Sequence, residues 1–190
     1  MEVYAIIQAY DPLRNEWSVV NVDADTGFLR IYPSELAYWI RQGRAFSASK
    51  RWVDVAADSS VWIQIKNPVD SDVTAHIAAI ECCSSGLFDV DIYSGATITN
   101  AVSISPRNLH KGSSNVSQIS IGIDGTLDLT GAQHELETII PGGTSVRAVG
   151  EISEVGEEVI LSEGYDLTVV LTNRSDRAGR LSIRAVWWEE

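Results

Sequence analysis

The chain has 190 residues, 45% hydrophobic and 21% charged, proportions that exclude wholesale disorder and suffice for one main domain with a real core. Its 26 acidic against 14 basic side chains leave a formal charge of −12, a field that repels phosphate backbones and anionic headgroups. Nucleic acid and membrane are therefore expected not to be partners, and no apolar run approaches the ~20 residues of a membrane-spanning helix.

Met1-Glu2-Val3-Tyr4 lacks the basic start of a signal peptide, and the only cysteines are the neighbours Cys82 and Cys83. Adjacent cysteines build no disulfide framework, so synthesis in a reducing cytoplasm is expected. Within a strand they point to opposite faces, one inward as a small apolar filler and one outward.

The first 42 residues read as an arm or small subdomain. Runs 4–9 and 18–22 suggest a hairpin across Asp11-Pro12. Pro33 ends the preceding strand, Ser34 is a natural N-cap, and residues 35–42 form the one helix-like stretch, closed by Gly43. From Gly43 to residue 190 the pattern changes to short runs rich in Val, Ile, Thr and aromatics, broken by Gly, Asn, Asp, Pro and Ser. Runs 45–55, 59–66, 73–83, 87–93, 116–123, 136–140, 158–161, 165–172 and 181–188 give about eight or nine strands.

This pattern predicts an all-β fold, an antiparallel sandwich. Eight strands in two sheets is the jelly-roll number, and the cysteine spacing excludes the disulfide form of an immunoglobulin-like domain. Lys66, Asp89, Asp91 and Arg184 fall in strand positions and are expected to discourage stray edge pairing.

No constellation for chemistry stands out. His76 lies on an alternating run, His110 and His134 lie in polar loop sequences, and no nucleophile elbow accompanies them. Zinc-ligand spacings are missing. Asp23-Ala24-Asp25, Asp89-Val90-Asp91 and Asp124-Gly125-Thr126-Leu127-Asp128 bring oxygens together, but none completes a calcium loop. Pro141-Gly142-Gly143-Thr144 reads as a turn rather than a phosphate cradle. A non-enzymatic protein without cofactor or metal is expected.

Tryptophan is over-used: Trp17, Trp39, Trp52, Trp62, Trp187 and Trp188. Alternation sets Trp62 opposite the face of Val61, Ile63 and Ile65, and the pair Trp187-Trp188 sends one ring away from the core. Indoles on the non-core side suit interfaces. Tyr4, Trp17, Trp39, Trp62 and Trp188 are the candidate interaction residues.

A more specific likeness lies in the order Gly43-Arg44-Ala45-Phe46-Ser47, Val61-Trp62-Ile63-Gln64-Ile65-Lys66-Asn67-Pro68, Pro106-Arg107-Asn108-Leu109-His110-Lys111-Gly112-Ser113 and Leu161-Ser162-Glu163-Gly164-Tyr165-Asp166-Leu167, ending in a Trp-Glu strand. This order, over residues 43–190, resembles the jelly-roll virion proteins of tailed bacteriophages and archaeal viruses, often head decoration or cement proteins. The resemblance implies a protein on the capsid surface that binds the major capsid protein and stabilises the shell. It also implies a homo-oligomer, with trimer favoured over dimer. The alternative from the residues is a carbohydrate- or receptor-binding module of a tail fibre or spike, built on exposed Trp with nearby Asp and Asn. A small glycosidase or cupin-like metalloprotein is a third expectation, for which the cluster of His is wanting.

Overall fold

The computed structural model describes residues 8–11, 16–19, 35–140, 147–149 and 159–190. In the arm, β1 (Gln8–Asp11) pairs with β2 (Glu16–Val19), so the expected strand pair is present, with its strands two to four residues nearer each other in the chain than the runs suggested. Helix α1 (Glu35–Gln42) matches its expected bounds, because its stop signal is local. The Gly43 N–H bonds the Ile40 carbonyl and the Arg44 N–H the Trp39 carbonyl, with Gly43 at φ +70°, the left-handed closure that glycine adopts without strain.

Fourteen strands follow among the described residues. Eight have four or more residues: β3 (Ala45–Val55), β4 (Ser60–Lys66), β5 (Ala75–Ser84), β6 (Phe88–Ser94), β10 (Ser120–Ile123), β12 (Gln133–Ile140), β15 (Asp166–Asn173) and β16 (Gly179–Glu189). The other six, of two or three residues, are too short to show a period: β7 (Thr97–Thr99), β8 (Val102–Ile104), β9 (Arg107–Asn108), β11 (Thr126–Asp128), β13 (Arg147–Val149) and β14 (Val159–Leu161).

Two six-stranded antiparallel sheets make an all-β sandwich. The first runs β12-β6-β15-β4-β10-β8, and the second runs β13-β5-β16-β3-β9 with β14 also on β5. Side chains of period two fill the space between them. Ile63 and Ile65 of β4, Val169 and Leu171 of β15, and Ile121 and Ile123 of β10 meet Ile77 and Ile80 of β5 and Leu181, Ile183 and Trp187 of β16, all buried. Each such side chain contributes about 1.5–3 kcal/mol on leaving water. Phe46 and Trp187, opposite each other in the β3–β16 register, set their rings 6.3 Å apart within this layer.

Lys66, Asp89, Asp91 and Arg184 do not guard edges, contrary to expectation. They sit on β4, β6 and β16, which have a neighbour on both sides, and their charges project from sheet faces. Arg184 meets Glu81 across the β16–β5 pair at 3.0 Å.

Residues 95–132, between β6 and β12, do the edge work. β7-β8 and β10-β11 form one antiparallel ribbon bent at Asn100 and at Asp124-Gly125, where all three residues have positive φ. A Cβ on Gly125 would meet the Thr99 carbonyl oxygen at 2.5 Å, so the bend requires glycine there. One half of the ribbon extends the first sheet beyond β4, and β9 extends the second beyond β3.

Two buried asparagines tie loops to opposite ends of the sandwich. Asn67, after β4, donates to the carbonyls of Val73 (2.8 Å) and Leu161 (2.9 Å) and accepts from the Ser71 hydroxyl. Asn173, ending β15, donates to the carbonyls of Val55, Ala56 and Arg177 and accepts from the Ser175 N–H. Replacing either by Ala strands buried carbonyls at about 1–3 kcal/mol per unsatisfied group. Asn67→Ala and Asn173→Ala are each expected to lower stability by about 2–4 kcal/mol, measured by urea unfolding.

Candidate functional site

The expected interaction residues fall in different places. Tyr4 lies outside the described residues, and for Trp17 the description extends to its backbone position on β2, opposite Tyr10. Trp39, Trp188 and Trp62 lie on the outer faces of the two sheets or on the helix beside them.

Trp39 belongs to α1, which packs on β3 and β16. Its ring meets Tyr38 edge-on at 5.1 Å, and the Arg44 guanidinium stands 5.4 Å from the ring centroid. Every apolar residue of the helix, Leu36, Ala37, Tyr38, Trp39 and Ile40, keeps some surface in solvent. The helix thus brings an incompletely covered apolar stripe to the second sheet.

Trp187 and Trp188 part as alternation requires, Trp187 into the core at 0% exposure and Trp188 to the outer face. Trp188 is nonetheless 6% exposed, and its ring stacks on His76, its register partner on β5, at 5.1 Å and 6°. His76 Nε2 lies 2.9 Å from a carboxylate oxygen of Glu190. Among the described residues the Trp188 indole N–H has no hydrogen-bond acceptor.

Trp62 is on the outer face of the first sheet, as predicted, but is only 6% exposed. Next to it on β4, the Gln64 amide donates to the Ala96 carbonyl (3.1 Å) and to Asp166 (3.0 Å), so the start of the bent ribbon crosses this face. Val170 and Thr168, opposite Trp62 and Gln64 on β15, are buried, as is Trp62, while Gln64 is half-buried. Trp62 therefore offers no open ring for stacking.

Trp52, which the alternation argument did not single out, is also half-buried, on β3. Its N–H donates to Asp124 at 3.1 Å, at the bend of the ribbon, and Lys50 lies 5.9 Å from its ring. A cleft of about 500 Å³ opens beside it, with Arg51, Asp54, Ser59 and Val61 in its walls.

The acidic positions are mostly answered by the protein's own groups. Asp89 accepts from Arg174 at 2.6 Å, a bond that raises the Arg174 pKa. Asp91 bonds His134 Nε2 at 3.0 Å, and the His134 ring stacks on Tyr93 at 4.7 Å. Burial, with Asp91 and Glu137 nearby, raises the Tyr93 phenol. Asp128 accepts from the Thr130 side chain and N–H, which lowers its carboxyl. Asp23, Asp25 and the turn at residues 141–144 lie outside the described residues. Among the described residues no group of three or more His, Cys, Asp or Glu is placed to hold a metal ion, and no helix is long and apolar enough to cross a membrane.

One carboxylate is buried outright. Glu189 accepts from the Ser117 hydroxyl, the Gln118 N–H at 3.1 Å and the Trp187 indole at 3.0 Å. These three donors compensate the lost hydration and fasten the segment after β9 across the end of the core. His110 is exposed in the loop before this segment, where its N–H bonds the Asn108 side chain.

Comparison with family models, with curated proteins and with solved structures finds no match in any of the three. What the chain does must be argued from its own geometry.

The cysteines divide as expected, Cys82 into the core and Cys83 half-exposed on the other face. Burial, and secondarily the charge of Cys83, pushes the Cys82 thiol up to about 12. An unfolded thiol titrates near ~8.5, so the contribution of the neutral thiol is complete below that pH and is lost as pH rises towards about 12. The urea midpoint is expected to fall between about pH 8 and about pH 11, and to fall less steeply in Cys82→Ala. Iodoacetamide is expected to label Cys83 in the native protein and both thiols only in urea.

Proposed function

We propose that the protein is a non-enzymatic virion component, a jelly roll that decorates or cements a capsid by binding major capsid protein subunits, as a homo-oligomer with trimer favoured over dimer. The observation that carries this reading is the nesting of strand pairs. The first long sandwich strand pairs with the last (β3 with β16) and the second with the next to last (β4 with β15). The third pairs with β13 and β14, and the fourth with β12. A long antiparallel ribbon rolled into two sheets gives this order, and such rolls serve in viral shells, lectin domains and cupins. The resemblance of residues 43–190 in sequence order to virion proteins favours the first of these.

Assembly also suits the surface. A charge of −12 favours solubility before assembly, and α1 carries half-covered Leu36, Trp39 and Ile40 at the side of the sandwich. Location on the capsid surface follows from the same reading, with α1 as the contact element.

Peptide mass spectrometry on purified particles tests it. A copy number of the same order as the major capsid protein is expected. A few copies per particle would move the protein to the tail, and absence would overturn the virion reading. Leu36→Asp with Ile40→Asp is expected to abolish particle binding while leaving the melting temperature within a few degrees, and sedimentation equilibrium is expected to give a trimer.

The cleft beside Trp52 favours a second reading, a carbohydrate-binding module, because a half-buried indole flanked by Lys50, Arg51, Asp54 and Ser59 matches the mixed chemistry of a sugar. Binding on a glycan array that Trp52→Ala removes would favour it over the first.

A further inference from the structure

Among the described residues, one long strand edge is left open. The β3 side of the second sheet is extended by β9, and the β4 side of the first by β10 and β8. At the opposite side of the first sheet β12 pairs only with β6. Eight residues long, it contains neither Pro nor Lys, the residues that usually protect an edge. A bulge between His134 and Leu136 bends its start, and residues 136–140 then continue in unbroken register with Ile92 to Phe88. The alternate row of backbone N–H and C=O groups of these five residues faces away from the sheet.

The side chains along this edge have a definite character. Leu136, 42% exposed, stands on the core side at the rim, and Ile139, 55% exposed, stands on the outer face with Glu137. Asp89 and Asp91 lie directly across on β6, already engaged by Arg174 and His134. Neither Glu135 nor Glu137 is in an ion pair among the described residues; Glu135 is hydrogen-bonded to Ser94 and Gln133.

We propose that the open edge of β12, over residues 136–140, takes up an extended basic segment of a partner protein as an added strand. Backbone bonds to the free row supply affinity, and alternate side chains supply selectivity. On the outer face a Lys or Arg of the incoming strand meets Glu137, and on the core side an apolar residue covers Leu136. The second copy of this chain is the poorer occupant, because two β12 strands side by side bring Glu135 and Glu137 of each against those of the other. This edge is remote in the topology from α1, so the proposal stands apart from the assembly reading.

The test uses the full chain and labelled octapeptides in fluorescence anisotropy: alternating Lys-Val, the same peptide N-methylated at every second residue, and alternating Glu-Val. Saturable binding of the plain basic peptide is expected, weakened about ten-fold or more by N-methylation, which keeps the charge but blocks one backbone edge. Hydrogen exchange is expected to slow within residues 136–140. Glu135→Lys with Glu137→Lys, at exposed positions that leave the fold intact by melting, is expected to turn the preference to the acidic peptide. Equal binding of the two basic peptides, protection elsewhere, or no binding of any would overturn the proposal. So would an Ile139→Cys variant that forms a disulfide dimer under mild oxidation at a rate the basic peptide does not slow, which would give the edge to a second copy.

Discussion

Both sheets depend on strands that come late in the chain. β15 lies between β6 and β4, and β16 lies between β5 and β3. Until these two are in place, β4 and β6 share no bond, and neither do β3 and β5. Each pairing also closes a long loop, about 140 residues for Ala45 with Trp188, and loop closure must precede the contacts that reward it. Local hairpins are thus of little use here, and the sandwich is held by the burial that follows once β15 and β16 have docked. This explains why β15 carries five consecutive buried residues and β16 is buried along most of its length.

The segment between β6 and β12 makes the sandwich asymmetric. It adds strands to both sheets on one side, meets Gln64 on one outer face through the Ala96 carbonyl, and is fastened at the end of the core by the buried Glu189 carboxylate. Among the described residues the other side keeps its edge open. A single insertion therefore decides which flank of the molecule is closed.

Local signals were legible in the residues, and distant ones were not. Helix α1 was readable because Ser34 and Gly43 are signals within its own turns, and β3 because its run is long. The all-β class followed from runs such as Ile63, Ile65 and Leu167, Val169, Leu171, which are buried as their alternation requires. Pairing order was not legible, since period two states a face and no neighbour. Trp62 is buried on the outer face, where its neighbour Gln64 bonds Ala96, 32 positions later in the chain, so alternation placed the ring correctly and misjudged its access to solvent. Asp91 and His134 are separated by 43 positions, and their bond makes one carboxylate of the Asp89-Val90-Asp91 group an internal partner.

The junction between arm and sandwich also has a mechanical meaning. Ala45 at the start of β3 lies opposite Trp188 near the end of β16, so the helix joins the sandwich where those two strands meet. A pull through the helix is applied at one end of the ladder, and it loads the bonds one after another, as in opening a zipper, instead of shearing them together. The first to bear it are the Glu189 N–H bond to the Arg44 carbonyl and the packed rings of Phe46 and Trp187. Tension on the arm is thus met by a small lock at the seam, and its strength, rather than that of the whole sheet, sets the load the junction withstands.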